Sequence, residues 1–286
     1  MNGTEKASTN ELLGYRADAR LLIINADDFG MCHAINTAIF RSLKEGVVGS
    51  TSLMTPCPWA AHAMGLLREN PDIAFGVHLT VICEASNYGW GPLTCKDKVP
   101  SLIDERGYFY SLERIPEFLA QVRLDELETE FRAQIETVLA ANLQPTHLDW
   151  HVLLDGGRAD IFDLTLELAR EYGFAVRAYG GPARDELHGM GLPANDHDVL
   201  DSYNVEIDDK SARYAEMLRQ LPTGLSEWAV HPGIGNDELQ TIEPVGWQVR
   251  QTDLEFMMSD TAREIITQEG ITLLNYKPNQ AVWQRG

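Results

Sequence analysis

Long apolar runs are missing from this chain, and that absence removes membrane-spanning helices first. No stretch approaches the ~20 apolar residues that a spanning helix needs. The first twenty residues are polar and mixed in charge, without the apolar segment of a secretory leader. Cysteine is scarce, with four among 286 residues. Cys32, Cys57, Cys83 and Cys95 form no CxxC pair, which excludes a zinc ribbon and a disulfide framework and leads us to expect the reducing cytoplasm. Basic residues are outnumbered, 23 against 43 acidic ones, for a formal charge of −20. A chain so charged is repelled by nucleic acid and by anionic membranes, so neither is expected as a partner. A nucleotide glycine fingerprint and a P-loop are also absent.

What is present is a strand-then-helix rhythm. Leu21 to Ile24 reads as a short buried strand, and Ala34, Ile35, Ala38, Ile39 and Leu43 recur at helical spacing up to Gly46. Val47 to Thr55 is a second strand, Pro58 to Glu69 a helix and Ile73 to Val81 a third strand. From Ile82 to Pro116 periodicity is lost, as expected of a lid or binding loop. Arg123 to Ala141 is the clearest helix. Pro145 to His151 alternates at period two, and a helix from Asp160 to Tyr172 leads to a strand at Phe174 to Tyr179. Gly180 to Asp198 is irregular in pattern. A strand near Ser202 to Ile207, a helix Lys210 to Leu221, a strand Ser226 to Val230, one helix Gln248 to Gln268 and a strand Ile271 to Tyr276 complete the series. Seven or eight such units predict a single α/β domain with a mainly parallel sheet, closed or distorted into a (β/α) barrel of the TIM type. Residues 1–19 are expected to be a flexible arm, and residues 20–286 the barrel.

In such folds chemistry gathers at the C-terminal ends of strands. Four polar clusters fall there: Asp27 with Asp28, then His78, then His147 with Asp149 and His151, then His231. Adjacent acids such as Asp27 and Asp28 are costly without a cation, a shared proton or hydrogen bonds; a simple Asx turn is the competing reading. A single histidine at a strand end is more often structural than a ligand, but four such ends together favour a site. Imidazoles with a carboxylate are donors suited to zinc or a similar divalent metal. His147, Asp149 and His151 share one side of their strand, and His151 lies nearer the mouth. That position favours His151 as ligand, with His147 a deeper ligand or a partner behind the ligands. With Asp28 as a ligand, Asp27 is left as a carboxylate beside a cation and can take a proton from a water that the cation acidifies. His231 could face it as a general acid. Arg177 either pairs with Asp27 or is a surface arginine.

NADDFG after an apolar strand, GVHLTV, PTHLDWH and WAVHPG, in this order and spacing, resemble the YdjC family of carbohydrate deacetylases, also called the ChbG/HpnK family. The resemblance runs from Leu21 to the last strand. It implies a distorted βα barrel related to the polysaccharide deacetylases, with one divalent metal, magnesium or zinc, held by Asp28, His78 and His151. It further implies Asp27 as catalytic base, His231 as general acid and Arg177 as the arginine that orients the base. Family members often form dimers, so a homodimer is a further expectation. One departure is that Val152, Leu153 and Leu154 follow His151 where relatives often carry more histidines, which puts the sugar specificity in question. The implied reaction is removal of an acetyl group from an N-acetylated amino sugar or small oligosaccharide of the chitooligosaccharide type, with Trp90, Tyr88 and Trp150 as sugar-stacking candidates. The competing readings are another metal-dependent barrel hydrolase or isomerase acting on sugars or phosphosugars, and a metal- or sugar-binding protein without catalysis.

Overall fold

The computed structural model describes residues 7–85 and 87–285. Its strands are β1 (Arg20–Phe29), β2 (Ser50–Leu53), β3 (Ala74–Leu79), β4 (Ile82–Cys83), β5 (Tyr110–Ser111), β6 (His147–Trp150), β7 (Ala175–Val176), β8 (Leu200–Asp201), β9 (Gly224–Val230) and β10 (Thr272–Leu274). The helices are α1 (Thr9–Leu12), α2 (His33–Glu45), α3 (Ala60–Glu69), α4 (Ile115–Gln121), α5 (Leu124–Ala140), α6 (Ala159–Tyr172), α7 (Gly181–Gly189), α8 (Lys210–Arg219), α9 (Asp237–Ile242), α10 (Trp247–Met257), α11 (Asp260–Gln268) and α12 (Lys277–Trp283).

Eight strands form one parallel sheet in the order β7-β6-β3-β2-β1-β9-β8, with β10 also pairing the start of β1. The sheet curls into a barrel that stays open, because among the described residues β7 and β8, the two ends of that order, do not pair with each other. This is the distorted (β/α) barrel that the strand–helix rhythm predicts. At its centre, Leu21, Leu22, Ile23 and Ile24 of β1 are wholly buried. The helices pack against it by their apolar stripes: Ala34, Ile35, Ala38 and Ile39 of α2, and Leu127, Phe131, Ile135 and Val138 of α5, are buried. Gly173 closes α6 in the left-handed conformation, φ 74°, which glycine adopts without strain.

Several elements depart from expectation. Residues 7–19 are not a loose arm (residues 1–6 lie outside those described). Ser8 caps α1 through a capping box with Glu11, the buried Thr9 hydroxyl donates to the Ala194 carbonyl at 2.9 Å, and the Asn10 amide donates to the carbonyls of Arg16, Ala17 and Ala19. Polar composition hid this, because side-chain hydrogen bonds tie the segment down, with Leu13, Tyr15 and Ala19 adding only partly buried apolar contacts to the core. The strand expected from Ser202 is instead β8, ending at Asp201, followed by a 3-10 turn over Ser202–Asn204 that the Asp201 side chain caps. The long helix expected over Gln248 to Gln268 is two, since Ser259 accepts from the Ala262 N–H and starts α11 anew. Gly180 to Asp198 holds α7 where no periodicity announced a helix. The Ile82 to Pro116 connection contains the small parallel pair β4–β5 and, among the described residues, three 3-10 turns.

Candidate active site

The site begins with the end of β1. The register of β1 against β2 slips between Ala26 and Phe29, and Asp28 sits in the left-handed region at φ 74°. In a regular strand neighbouring side chains point to opposite faces. The slip relieves that rule, so Asp27 and Asp28 both line the same cleft at the strand ends. Both are buried.

Strand β3 lies beside β6 with His78 opposite Asp149. The Asp149 Oδ1 therefore meets His78 Nδ1 at 2.9 Å, and His78 Nε2 faces Asp28 Oδ1 at 3.5 Å. His151 follows β6 and brings its Nδ1 to 3.1 Å from the same Asp28 oxygen. Asp28, His78 and His151 thus offer one carboxylate and two imidazole nitrogens within 4.8 Å of one another. Burial disfavours charge on these histidines. Asp149, with Asp28 and Asp27, outweighs it and lifts His78 to about 10. Glu84, with Asp28, lifts His151 to about 9. Burial also opposes charge on Asp28, but Arg250 and the two histidines hold it well below the ordinary carboxylate range.

The second half of the site is built around Asp27. Arg177 Nη1 lies 2.9 Å from both of its carboxylate oxygens and 2.8 Å from Asp149 Oδ2. The Asn25 amide donates to Asp27 Oδ1 at 2.7 Å. Arg177 is wholly enclosed, and its Nε meets Glu227 at 2.7 Å. Glu227 in turn accepts from the Tyr276 hydroxyl at 2.6 Å; burial, partly offset by Arg177, pushes the Glu227 carboxyl up to about 7. Across the cleft, His231 Nε2 stands 3.9 Å from Asp27 Oδ2.

His147 occupies a different place. It stacks on the Tyr276 ring at 3.7 Å, contacts Thr146 and Ser52, and sits where a Cβ on Gly76 would overlap its ring. Burial depresses it to about 4, so it is a neutral interior group outside the Asp28–His78–His151 cluster. Two stacking candidates lie outside the cleft lining, Trp90 buried and Tyr88 partly buried. Trp90 donates to the Ile82 carbonyl at 3.0 Å and Tyr88 to the Met31 carbonyl at 3.0 Å. Trp150 does line the cleft, with its indole N–H held by Thr165.

Four cleft residues carried no signal in the sequence pattern: Glu84, Tyr203, Glu243 and Arg250. Arg250, on α10, meets Asp28 Oδ2 at 2.8 Å, Glu84 at 3.2 Å and Glu243 at 2.6 Å. Glu84 also reaches His151 Nε2 at 3.0 Å. Arg250 stands on a helix face and Glu243 just after α9, while Glu84 directly follows β4 and Tyr203 sits in the 3-10 turn after β8, both strands of only two residues whose ends leave no readable alternation. The cleft has a volume of about 660 Å³, a size suited to a small ligand. Tyr179, Tyr203 and Trp150 supply aromatic walls, with Leu112, Leu154 and Val245 at the rim.

A buried carboxylate–imidazole cluster beside an arginine-held aspartate is one finding; the family comparison is the other. The model of the YdjC-like protein family matches residues 21–268. The chain belongs to the YdjC-like family. Among its YdjC-like relatives, a carbohydrate deacetylase of Geobacillus stearothermophilus is 34% identical over 90% of this chain and 97% of its own. One from Enterococcus faecalis is 30% identical over 90% of this chain and 97% of its own. A crystal structure from Enterococcus faecalis, described as a candidate cellobiose-phosphate cleavage protein, superimposes with a TM-score of 0.76 at 30% identity, covering 91% of this chain and 98% of that one. Among the described residues, no helix of this YdjC-like chain is long and apolar enough to cross a membrane.

Proposed function

We propose that this YdjC-like carbohydrate deacetylase hydrolyses the acetamide of an N-acetylated amino sugar, within a small oligosaccharide of the chitooligosaccharide type, using one divalent metal ion. The observation that carries the reading is the meeting, in one cleft, of the Asp28–His78–His151 donor group with the facing pair Asp27 and His231. The donor set fits a metal. It offers one carboxylate and two imidazoles, and Asp149 fixes His78 Nδ1 so that Nε2 is the atom left for the site. The carboxylates that hold protons on these imidazoles would equally favour a dication. Two imidazoles suit zinc better than magnesium, which prefers oxygen ligands.

A bound ion of this kind supplies Lewis acidity, polarising the amide carbonyl and acidifying water. Asp27 is the base: Arg177 and Asn25 hold its carboxylate, and Oδ2 faces His231 and the Tyr179 hydroxyl. His231, at 3.9 Å across the gap, is placed to protonate the leaving amine from Nε2. Tyr203, Tyr179 and Trp150 present ring faces or edges to a sugar. Phosphosugar hydrolysis or isomerisation is disfavoured because Arg250, among the described residues the one basic side chain lining the cleft besides histidine, is already engaged by three carboxylates. The test is acetate release from a panel of acetylated amino sugars and short chitooligosaccharides, with and without chelator. Release that chelator abolishes and added metal restores is expected. No release from any acetylated amino sugar in the presence of zinc or magnesium would overturn the reading.

A further inference from the structure

Asp27, the candidate base, and Asp149, the carboxylate behind His78, are joined inside the barrel by a closed ring of hydrogen bonds. Asn25 and Asp27 stand on β1, Ser52 on β2 and Asp149 on β6, and Arg177 directly follows β7. The Asn25 amide donates from Nδ2 to Asp27 Oδ1 at 2.7 Å and to Ser52 Oγ at 2.8 Å. Ser52 donates in turn to Asp149 Oδ2 at 2.6 Å. Arg177 Nη1 closes the ring, donating to that same Asp149 oxygen at 2.8 Å and to Asp27 Oδ1 at 2.9 Å. All five side chains are buried.

Each proton in the ring has one destination. Carboxylates beside an arginine only accept, and an amide has two N–H protons to give. The Asn25 carbonyl oxygen is taken by the Ser50 hydroxyl, which donates to it at 2.7 Å. That contact turns the amide so that its nitrogen serves both Asp27 and Ser52. Ser52 has a single proton, and the Asp149 carboxylate at 2.6 Å takes it ahead of His147 Nε2 at 3.3 Å. Asp149 Oδ2 is then filled by Ser52 and Arg177, and its Oδ1 is left for His78 Nδ1. Asp27 Oδ1 is filled by Asn25 and Arg177, while Oδ2 is turned toward His231 and the Tyr179 hydroxyl. We propose that Asn25 and Ser52 are positioning residues that lock the base to the metal-donor group, setting Asp27 Oδ2 and His78 Nε2 in one fixed relation through the ring. Among the described residues, neither side chain hydrogen-bonds Asp28, His78 or His151. Each therefore acts through Asp27 or Asp149.

The role of Asp27 rests on the deacetylase reading, so the ring is read first through zinc binding, which needs no turnover. Zinc affinity is measured by competition with a chromophoric chelator in the wild type, Ser52→Ala, Asn25→Ala and the double variant. Ser52→Ala removes a donor that orients Asp149 behind His78 and should weaken zinc ~10-fold, the lower end for a lost partner behind a ligand. Asn25→Ala should weaken it by a smaller factor, ~3-fold, since it acts through Ser52. The double variant should bind no more weakly than Ser52→Ala, because members of one hydrogen-bonded chain do not add. At saturating zinc each single variant should lose kcat ~10-fold with KM little changed, a fraction of what a general base contributes. Wild-type zinc affinity in Ser52→Ala, or additive losses in the double variant, overturns the ring even if the enzyme deacetylates. A lowered urea midpoint with wild-type kcat at saturating zinc also overturns it, since that is the mark of a merely structural role. Ser52→Ala removes one oxygen and carries both readouts alone if Asn25→Ala does not fold. The expected zinc losses in a protein that releases no acetate support the ring and overturn only the reaction assigned to Asp27. A wild-type chain that binds no zinc overturns the proposal together with the metal reading.

Discussion

Asp27 and Asp28 are adjacent, similarly buried and of the same chemistry, yet their partners give them different work. Asp28 shares one oxygen between two histidines, while Asp27 is clamped by Arg177. Asp28→Asn should lower metal affinity, with activity partly restored by added metal. Asp27→Asn should bind metal normally and lose turnover by ~10²–10⁴-fold, the scale of a lost general base. Metal titration by calorimetry beside acetate release separates the two. The histidines divide in the same way. His151→Ala should abolish metal binding; His147→Ala should leave metal bound and act mainly on stability, by about 2–4 kcal/mol in urea denaturation, since it opens a hole under Tyr276. These polar residues were legible in the sequence because a strand end restricts where a side chain can go. Arg250 and Glu84 were not, because opposite charges that meet across 166 residues of chain leave no local pattern.

Elements with an apolar period were legible, and those held by polar contacts were not. Strands β1, β3, β6 and β9 and helices α2, α5 and α6 fall where alternation or a 3.6-residue stripe puts them. Helix α1 was missed because one amide, that of Asn10, ties it down through three carbonyls. Asn10→Ala should therefore destabilise the protein by about 1–3 kcal/mol, the cost of losing the hydrogen bonds from one buried amide to three carbonyls. A Tm unchanged in that variant would show that the segment adds nothing to the fold. The break between α10 and α11 was missed because their combined stripe continues through Ser259, whose capping role shows only once the chain has turned. Helix α10 matters beyond packing: within one turn it sends Arg250 to Asp28 and Asp253 to the His231 backbone.

At the scale of the molecule, electrostatics sets how the site responds to pH. His78 and His151 are lifted to about 10 and 9, above the ordinary histidine value near 6.5. Without metal, a raised histidine stabilises fully below ~6.5, and that contribution is lost as pH climbs through the folded-state values. A metal must displace those protons, so its affinity should rise with pH by up to ~10-fold per unit for each proton released. The expected outcome is a gain in Tm on adding zinc that grows from pH 6 to pH 9; a gain that shrinks over that range would refute the imidazole ligands. Net charge acts on substrate choice. With −20 overall and Asp27, Asp28, Glu84, Asp201 and Glu243 lining the cleft, a sugar carrying a phosphate should be deacetylated at least ~10-fold less efficiently than its neutral counterpart, with the difference widening at low salt. Competition kinetics between the two would measure it.

The left-handed backbone of Asp28 has a consequence for what this position can become. Chemistry asks for a carboxylate there, while sterics admit only side chains tolerant of positive φ, which are glycine, asparagine and aspartate; others cost roughly 1–2 kcal/mol. In a saturation library, most replacements at position 28 would thus lower both yield and metal content. Asparagine and glycine alone would give well-folded protein without the ligand. Drift away from catalysis through this residue has a narrow exit, and a natural binding-only descendant of this fold that still matched it elsewhere would carry one of those two residues.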